Sequence, residues 1–114
     1  MNTFATTMEP LIRRKIFATE EQAGRELMRD YVLRQIASLQ RDLARFERKY
    51  GMSFARFGEY LHERSVLLET EQLSPHQRQA LGQAIMLEED DFFDWKASLE
   101  MLDSWLGLRQ EATV

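Results

Sequence analysis

The sequence predicts a mainly α-helical protein, and two runs of regularly spaced apolar residues carry that prediction. From Val32 to Tyr50, apolar residues follow one another at intervals of 4, 3, 4, 3 and 4 residues. From Phe92 to Leu106 they recur at intervals of 3, 4, 3 and 4. Such spacing places the side chains on one face of a helix. Each helix then needs a partner for its apolar face, which indicates a helical hairpin or bundle.

The longest helix is expected over about residues 19–50. Thr19 is a suitable N-cap, and Gln22 three residues later completes a capping box. No proline interrupts the segment, and Gly51 can adopt the left-handed conformation that ends many helices. A helix over about 20–50 would be about 45 Å long, because the rise is about 1.5 Å per residue.

Three shorter or medium helices are expected after the long one. Ser53 is an N-cap, and Met52 and Phe57 around it form a hydrophobic staple, which predicts a short helix over 53–64. Residues 65–73 either continue that helix or form a connection. Ser74 followed by Pro75 indicates the start of a helix over 74–87. The acidic run at 88–91 leads into a last helix over 90–109, and the length of 114 residues predicts a single domain, 1–114.

Residues 1–18 are predicted to form an arm that contains one short β-strand at Leu11–Phe17. The run has β-branched and aromatic residues, and Arg13 and Lys15 alternate with apolar positions. A helical or irregular arm is the alternative. Because a lone strand must pair its backbone groups, the strand implies a homodimer or pairing with another chain. The residues assigned to a dimer interface are Ile12, Ile16, Leu39 and Leu43.

Composition and charge limit the classes of function that are expected and indicate the kind of partner. The chain is 44% hydrophobic and 30% charged, has no cysteine and begins without an apolar signal core, so we expect a cytoplasmic protein that does not enter the membrane. Residues 1–50 contain ten Lys and Arg against seven Asp and Glu, whereas residues 51–114 contain five against twelve. The acidic second half indicates either solvated helix faces or a basic partner.

No pattern in the sequence indicates catalysis, a metal or a cofactor. His62 and His76 are the only histidines, and Val66 stands where a zinc-protease helix would need its second histidine. Phosphate-binding, nucleophile-elbow and calcium-loop motifs are absent. Carboxylates at 88–91 suit the start of a helix, whose dipole favours negative charge. We therefore predict a protein that is not an enzyme.

Two blocks of the sequence resemble a family of small prokaryotic antitoxins. The blocks are RFERKYGMSFARFGEY at 45–60 and DDFFDWKASLEML at 90–102, preceded by KIFATEEQAGRELMRDYVLRQI. Together they are similar to the TumA-like partners of TumE-type toxins. The chain departs from that family at about 63–89, where it has an extra segment in place of a short link. The matching residues are Phe46, Glu47, Lys49, Tyr50, Gly51, Met52, Phe54, Phe57, Asp91, Phe93, Asp94 and Trp95.

The resemblance implies a non-catalytic antitoxin that binds and neutralises a small basic toxin, expected to be a ribonuclease, in a toxin–antitoxin module. Phe93 and Trp105 depart from the apolar spacing of the last helix, which makes them candidates for an exposed binding surface. The residues predicted to contact the toxin are Asp90, Asp91, Phe93, Asp94 and Trp105.

Two alternatives remain open at this point. In the first, the protein is a ribbon-helix-helix-like transcriptional regulator, and paired strands place Arg13, Arg14 and Lys15 against promoter DNA. Against it, that fold needs two helices of moderate length after the strand, whereas residues 20–50 show a single long one. In the second alternative, the chain is a structural helical dimer.

Overall fold

The structure is a computed structural model that describes residues 3–113. Most of these residues are helical. The helices are α1 (Thr3–Arg13), α2 (Glu20–Tyr50), α3 (Phe54–Thr70) and α4 (Pro75–Thr113). No strand occurs among these residues. The mainly α-helical class predicted from the apolar spacing is confirmed, and α2 covers the range predicted for the long helix.

The predicted N-terminal strand at Leu11–Phe17 is wrong. Its first three residues complete α1, and Lys15 then adopts the left-handed conformation with φ of 59°. The backbone N–H groups of Lys15 and Ile16 donate to the carbonyls of Ile12 and Leu11, at 3.0 and 2.9 Å. This pair of hydrogen bonds is a Schellman motif, which ends helices. The backbone N–H groups of residues 14–17, which we expected to pair with another chain, thus donate to carbonyls of α1.

The caps of the later helices follow the sequence signals. The hydroxyl oxygens of Thr19, Ser53 and Ser74 each accept a hydrogen bond from a backbone N–H three residues later, at 3.1 to 3.2 Å. The side chain of Gln77 accepts in return from the N–H of Ser74 at 3.0 Å, which completes a capping box. These caps satisfy backbone donors that a helix start leaves unpaired.

Two predicted boundaries differ from the observed ones. Helix α3 continues to Thr70, so part of the ambiguous 65–73 segment is helical. The helices predicted over 74–87 and 90–109 form one helix, α4, of 39 residues. The acidic run between them contains no proline or glycine, and Glu88 and Asp91 reach cations on neighbouring helices instead of ending a turn.

The chain divides into two compact units, and both long helices contribute to each. One unit comprises Met1–Ala37 and Trp105–Val114, and the other comprises Ser38–Ser104. The single domain expected from the chain length stays a prediction. In the second unit, the core consists of Leu43, Phe46, Phe57, Leu61 and Trp95. The first unit buries Ala23, Val32 and Ile36.

Gly51 separates α2 from α3 and has a φ of 63°, a value at which residues other than glycine are strained. An added Cβ would meet no atom within 4 Å, so the strain is confined to the backbone. We expect Gly51→Ala to lower the free energy of unfolding by about 1–2 kcal/mol, the cost of the left-handed conformation. Urea unfolding followed by far-UV circular dichroism measures the change.

Gly82 is the matched control, because it lies inside α4 and an added Cβ there also meets nothing within 4 Å. Gly82→Ala is expected to raise the free energy of unfolding by about 0.5–1 kcal/mol, because alanine is the better helix former. Equal effects of the two substitutions would contradict the role assigned to Gly51.

Candidate protein-binding site

Trp95 determines how α4 packs against α2 and α3 in the second unit. Its side chain is 1% exposed. The rings of Phe46, Phe54 and Phe57 lie around it, each with a centroid distance of 5.5 Å, and the Phe46 ring stacks on it nearly parallel. Because buried rings pack closely against their neighbours, the burial of Trp95 on this side also determines which residues of α4 face outward.

Two carboxylates of the acidic run face the neighbouring helices and are paired there. Asp91 Oδ2 lies 2.6 Å from Lys49 Nζ and also accepts a hydrogen bond from the Tyr50 hydroxyl. Glu88 Oε2 lies 3.1 Å from Arg64 Nε. An open cleft of about 530 Å³ lies beside these pairs and is lined by Lys49, Tyr50, Ala84, Leu87, Glu88, Asp90 and Asp91.

The pairing changes the pKa values of Asp91 and Tyr50 in opposite directions. Partial burial by itself would raise the pKa of the Asp91 carboxyl, but the hydrogen bonds from Lys49 and Tyr50, with the charge of Lys49, hold it below its usual value. Burial and the hydrogen bond to Asp91 raise the pKa of the Tyr50 hydroxyl. The ionised form of Asp91 is therefore the one that the fold favours.

We expect Asp91→Asn to lower the free energy of unfolding at pH 7 by about 1 kcal/mol, a small value because Lys49 is largely solvent-exposed. The pKa of Asp91 is lower in the folded chain than in the unfolded chain. Its contribution is therefore complete above the unfolded pKa, about 3.9, and is lost as the pH falls through the folded pKa. Urea unfolding at pH 7 and below pH 3 should show that the difference in the free energy of unfolding between variant and wild type becomes smaller in acid.

Asp94→Asn is the control for this measurement, because the Asp94 side chain is exposed and its carboxylate makes no ion pair within residues 3–113. It should leave the free energy of unfolding unchanged at both pH values. If the free energy of unfolding of Asp91→Asn differs from that of the wild type by the same amount in acid as at pH 7, the stabilisation does not come from the ionised carboxylate.

Three of the five predicted toxin-binding residues share the outer side of α4. Asp90, Phe93 and Asp94 are exposed, and the Phe93 side chain keeps 62% of its surface accessible. Asp91 instead faces α2 and is paired there. Trp105 belongs to the first unit, is half-buried, and contacts the Tyr31 ring edge-on at 5.8 Å.

The remaining predicted site residues are dispersed. Leu39 and Leu43 are 8% and 9% exposed within the chain itself, so they offer little surface to a second subunit. Ile12 is half-buried in α1, and Ile16 is 59% exposed in the turn that follows. The candidates for DNA contact, Arg13, Arg14 and Lys15, are exposed at the end of α1 and do not lie on a strand. The ribbon required by the DNA-binding alternative is therefore not formed by the described residues.

Sequence reasoning missed three neighbours of Phe93 on the same side of α4. Met86 precedes it by seven residues, and Ala97 and Met101 follow at intervals of four, so all four share one helix face. All are exposed. The predicted break between residues 87 and 90 hid this pattern, because it placed Met86 on a different helix.

Comparison with protein-family models, curated proteins and solved structures finds no match to this chain. None of the helices formed by residues 3–113 has the length and apolar character needed to cross a membrane. The same residues bring together no group of three or more side chains of the types that ligate metals.

Proposed function

We propose that this chain is an antitoxin-like protein, without catalytic activity, that binds and neutralises a small basic toxin. The observation that carries the proposal is the exposure of Phe93 on α4 beside the exposed carboxylates of Asp90 and Asp94. Neither carboxylate makes an ion pair or hydrogen bond with another residue of 3–113. An exposed aromatic side chain bordered by unpaired charge is typical of a protein-binding surface.

The residues of the two antitoxin-like blocks have two kinds of environment. Most of them, including Phe46, Phe57 and Trp95, pack in the core or against it, which gives them a structural role. Glu47, Phe93 and Asp94 are exposed on the surface. Packing alone does not explain the resemblance at these three positions, whereas contact with a partner would.

The charge of the surface supports a basic partner. Residues 51–114 carry five Lys and Arg against twelve Asp and Glu, and within the run at 88–91 the carboxylates of Glu89 and Asp90 are exposed and make no ion pair within residues 3–113. Opposite charges accelerate encounter and disfavour wrong partners. A small basic toxin is the partner that the resemblance and this charge together favour.

The test is co-expression in a bacterial host with the small protein encoded beside this chain, each under its own inducible promoter. We expect the neighbouring protein to stop growth when expressed alone and growth to resume when this chain is also induced. The purified mixture should elute as one complex whose mass, from light scattering, equals a whole-number combination of the two chains.

Two results would contradict the proposal. One is a neighbouring protein that leaves growth unaffected when it is produced in soluble form. The other is a toxic neighbour whose effect this chain does not relieve although both proteins are soluble and present at comparable levels.

A further inference from the structure

We infer that the outer face of α4 docks an amphipathic, basic α-helix of the partner protein. The surface, called the outer stripe here, consists of Met86, Phe93, Ala97 and Met101. The inference rests on the proposed function, because it assigns the binding mode of that same partner. It extends the predicted toxin contacts along α4 to three residues that the sequence prediction did not include.

The residues of the outer stripe are apolar and exposed, and Asp90, four residues after Met86, is a carboxylate on the same face. Met86, Phe93 and Met101 keep 67%, 62% and 53% of their side-chain surface accessible. The opposite face of the same helix is buried, with Ile85 at 5% and Trp95 at 1% exposed. Helix α4 is therefore held by its inner face, while apolar side chains remain exposed on the outer face, where Phe93 contacts only the edge-on ring of Phe92 among the described aromatic rings.

Charges around the outer stripe indicate the sign of its partner. Between Met86 and Met101 the only cation is Lys96. The side chains within or beside the stripe include four exposed carboxylates, and none of them has an ion-pair partner within residues 3–113. A second copy presenting the same face would bring like charges together, which disfavours self-association through the stripe. The four carboxylates are Glu89, Asp90, Asp94 and Glu100.

The shape of the surface indicates a helix as its occupant. Met86 and Met101 are fifteen residues apart, so the outer stripe is about 22 Å long at about 1.5 Å per residue. A partner helix of about four turns would cover it, with apolar residues on the stripe and Lys or Arg beside the carboxylates. An extended segment would need a sheet edge for its backbone hydrogen bonds, and residues 3–113 offer none. Methionine side chains adapt readily to such a partner.

A defined peptide tests the inference. The probe is a fluorescein-labelled, amidated peptide of about 18 residues, long enough to form a helix on binding, with leucine on one face and lysine on the other. Fluorescence anisotropy should show saturable binding to the wild-type chain and binding at least tenfold weaker to Met86→Glu/Met101→Glu. The variant is more acidic, so charge attraction alone would strengthen binding, and a loss identifies apolar docking.

Val66→Glu/Leu67→Glu is the matched control, because it adds the same charge at exposed apolar positions of α3. It should bind the lysine peptide at least as well as the wild type. The same peptide with glutamate in place of lysine should not bind to any of the proteins. Circular dichroism and urea unfolding establish that all variants are folded.

Three outcomes would overturn the inference. The Met86→Glu/Met101→Glu variant would bind the lysine peptide as tightly as the wild type, or it would neutralise the toxin equally well in the co-expression assay. In the third outcome, light scattering would show a wild-type dimer that the variant disperses, which would assign the stripe to a second copy. If the wild type and the variant both neutralise the toxin, the inference fails but the proposed function stands. If the neighbouring protein is harmless and the peptide binds as expected, the proposed function fails but the outer stripe remains a docking surface.

Discussion

Trp95→Ala is expected to lower the free energy of unfolding by about 3–5 kcal/mol, the usual cost of truncating a buried aromatic side chain to alanine. The side chain is 1% exposed, and three phenylalanine rings lie around it at 5.5 Å. Alanine would leave a cavity that these rings cannot close without leaving their own contacts. Since a domain of this size has about 5–15 kcal/mol of stability, the loss is a large part of the total. Urea unfolding followed by far-UV circular dichroism measures it.

Trp105→Ala is the matched control, because Trp105 is the second tryptophan of the chain and is only half-buried. Its described ring contact is the edge-on pair with Tyr31, and such pairs contribute about 0.5–1.5 kcal/mol beyond burial. We expect a smaller loss of stability there. Similar losses at both positions would show that the cage around Trp95 is not what holds α4 against α2 and α3.

The apolar spacing predicts the helices well because burial of one face is the strongest requirement on these segments. Leu43, Phe46 and Trp95, chosen from the spacing, all lie in the core of the second unit. The N-caps at Thr19, Ser53 and Ser74 were also predicted, because a cap depends on residues within three positions of each other. Local rules of this kind need no knowledge of the tertiary structure.

The N-terminal strand was predicted wrongly because the signal that ends α1 is hidden in the sequence. Glycine usually occupies the left-handed position of a Schellman motif, and here Lys15 does so. Without a glycine to mark the helix end, the alternation from Leu11 to Phe17 suggested a strand. Leu11, Ile12 and Arg13, which we assigned to the strand, are the last three residues of the helix Thr3–Arg13.

The predicted break before the last helix shows a different limitation. The carboxylates at 88–91 suit a helix start, but they also suit a helix interior when cations on other helices face them. Lys49 and Arg64 supply those cations from 42 and 24 residues earlier in the chain than Asp91 and Glu88, respectively, and are brought close only by the tertiary fold.

 Contacts over such distances cannot be read from local patterns. The break also hid the outer stripe, because Met86 belongs with Phe93 only when α4 is continuous.

Asp90→Lys/Asp94→Lys is expected to weaken binding of the basic toxin about 100-fold, which corresponds to about 2.7 kcal/mol. The two substitutions replace carboxylates on either side of Phe93 with cations, so attraction to a basic partner becomes repulsion. Neither carboxylate has an ion-pair partner within residues 3–113, and the fold should therefore be preserved. Titration of labelled toxin at several salt concentrations measures the affinity, and the variant should lose most of the salt dependence.

Glu69→Lys/Glu71→Lys is the control for this variant, because it makes the same change in net charge at exposed positions that do not belong to the outer face of α4. If the toxin senses only the overall charge of the antitoxin, both double variants should weaken binding equally, and the assignment of the site to α4 would be wrong. If it binds at the outer face of α4, the control should bind within about threefold of the wild type, because screening over a Debye length of about 8 Å at physiological salt limits the reach of exposed charges. The difference in toxin affinity between the two double variants thus separates the effect of where the charges lie from the effect of the net charge.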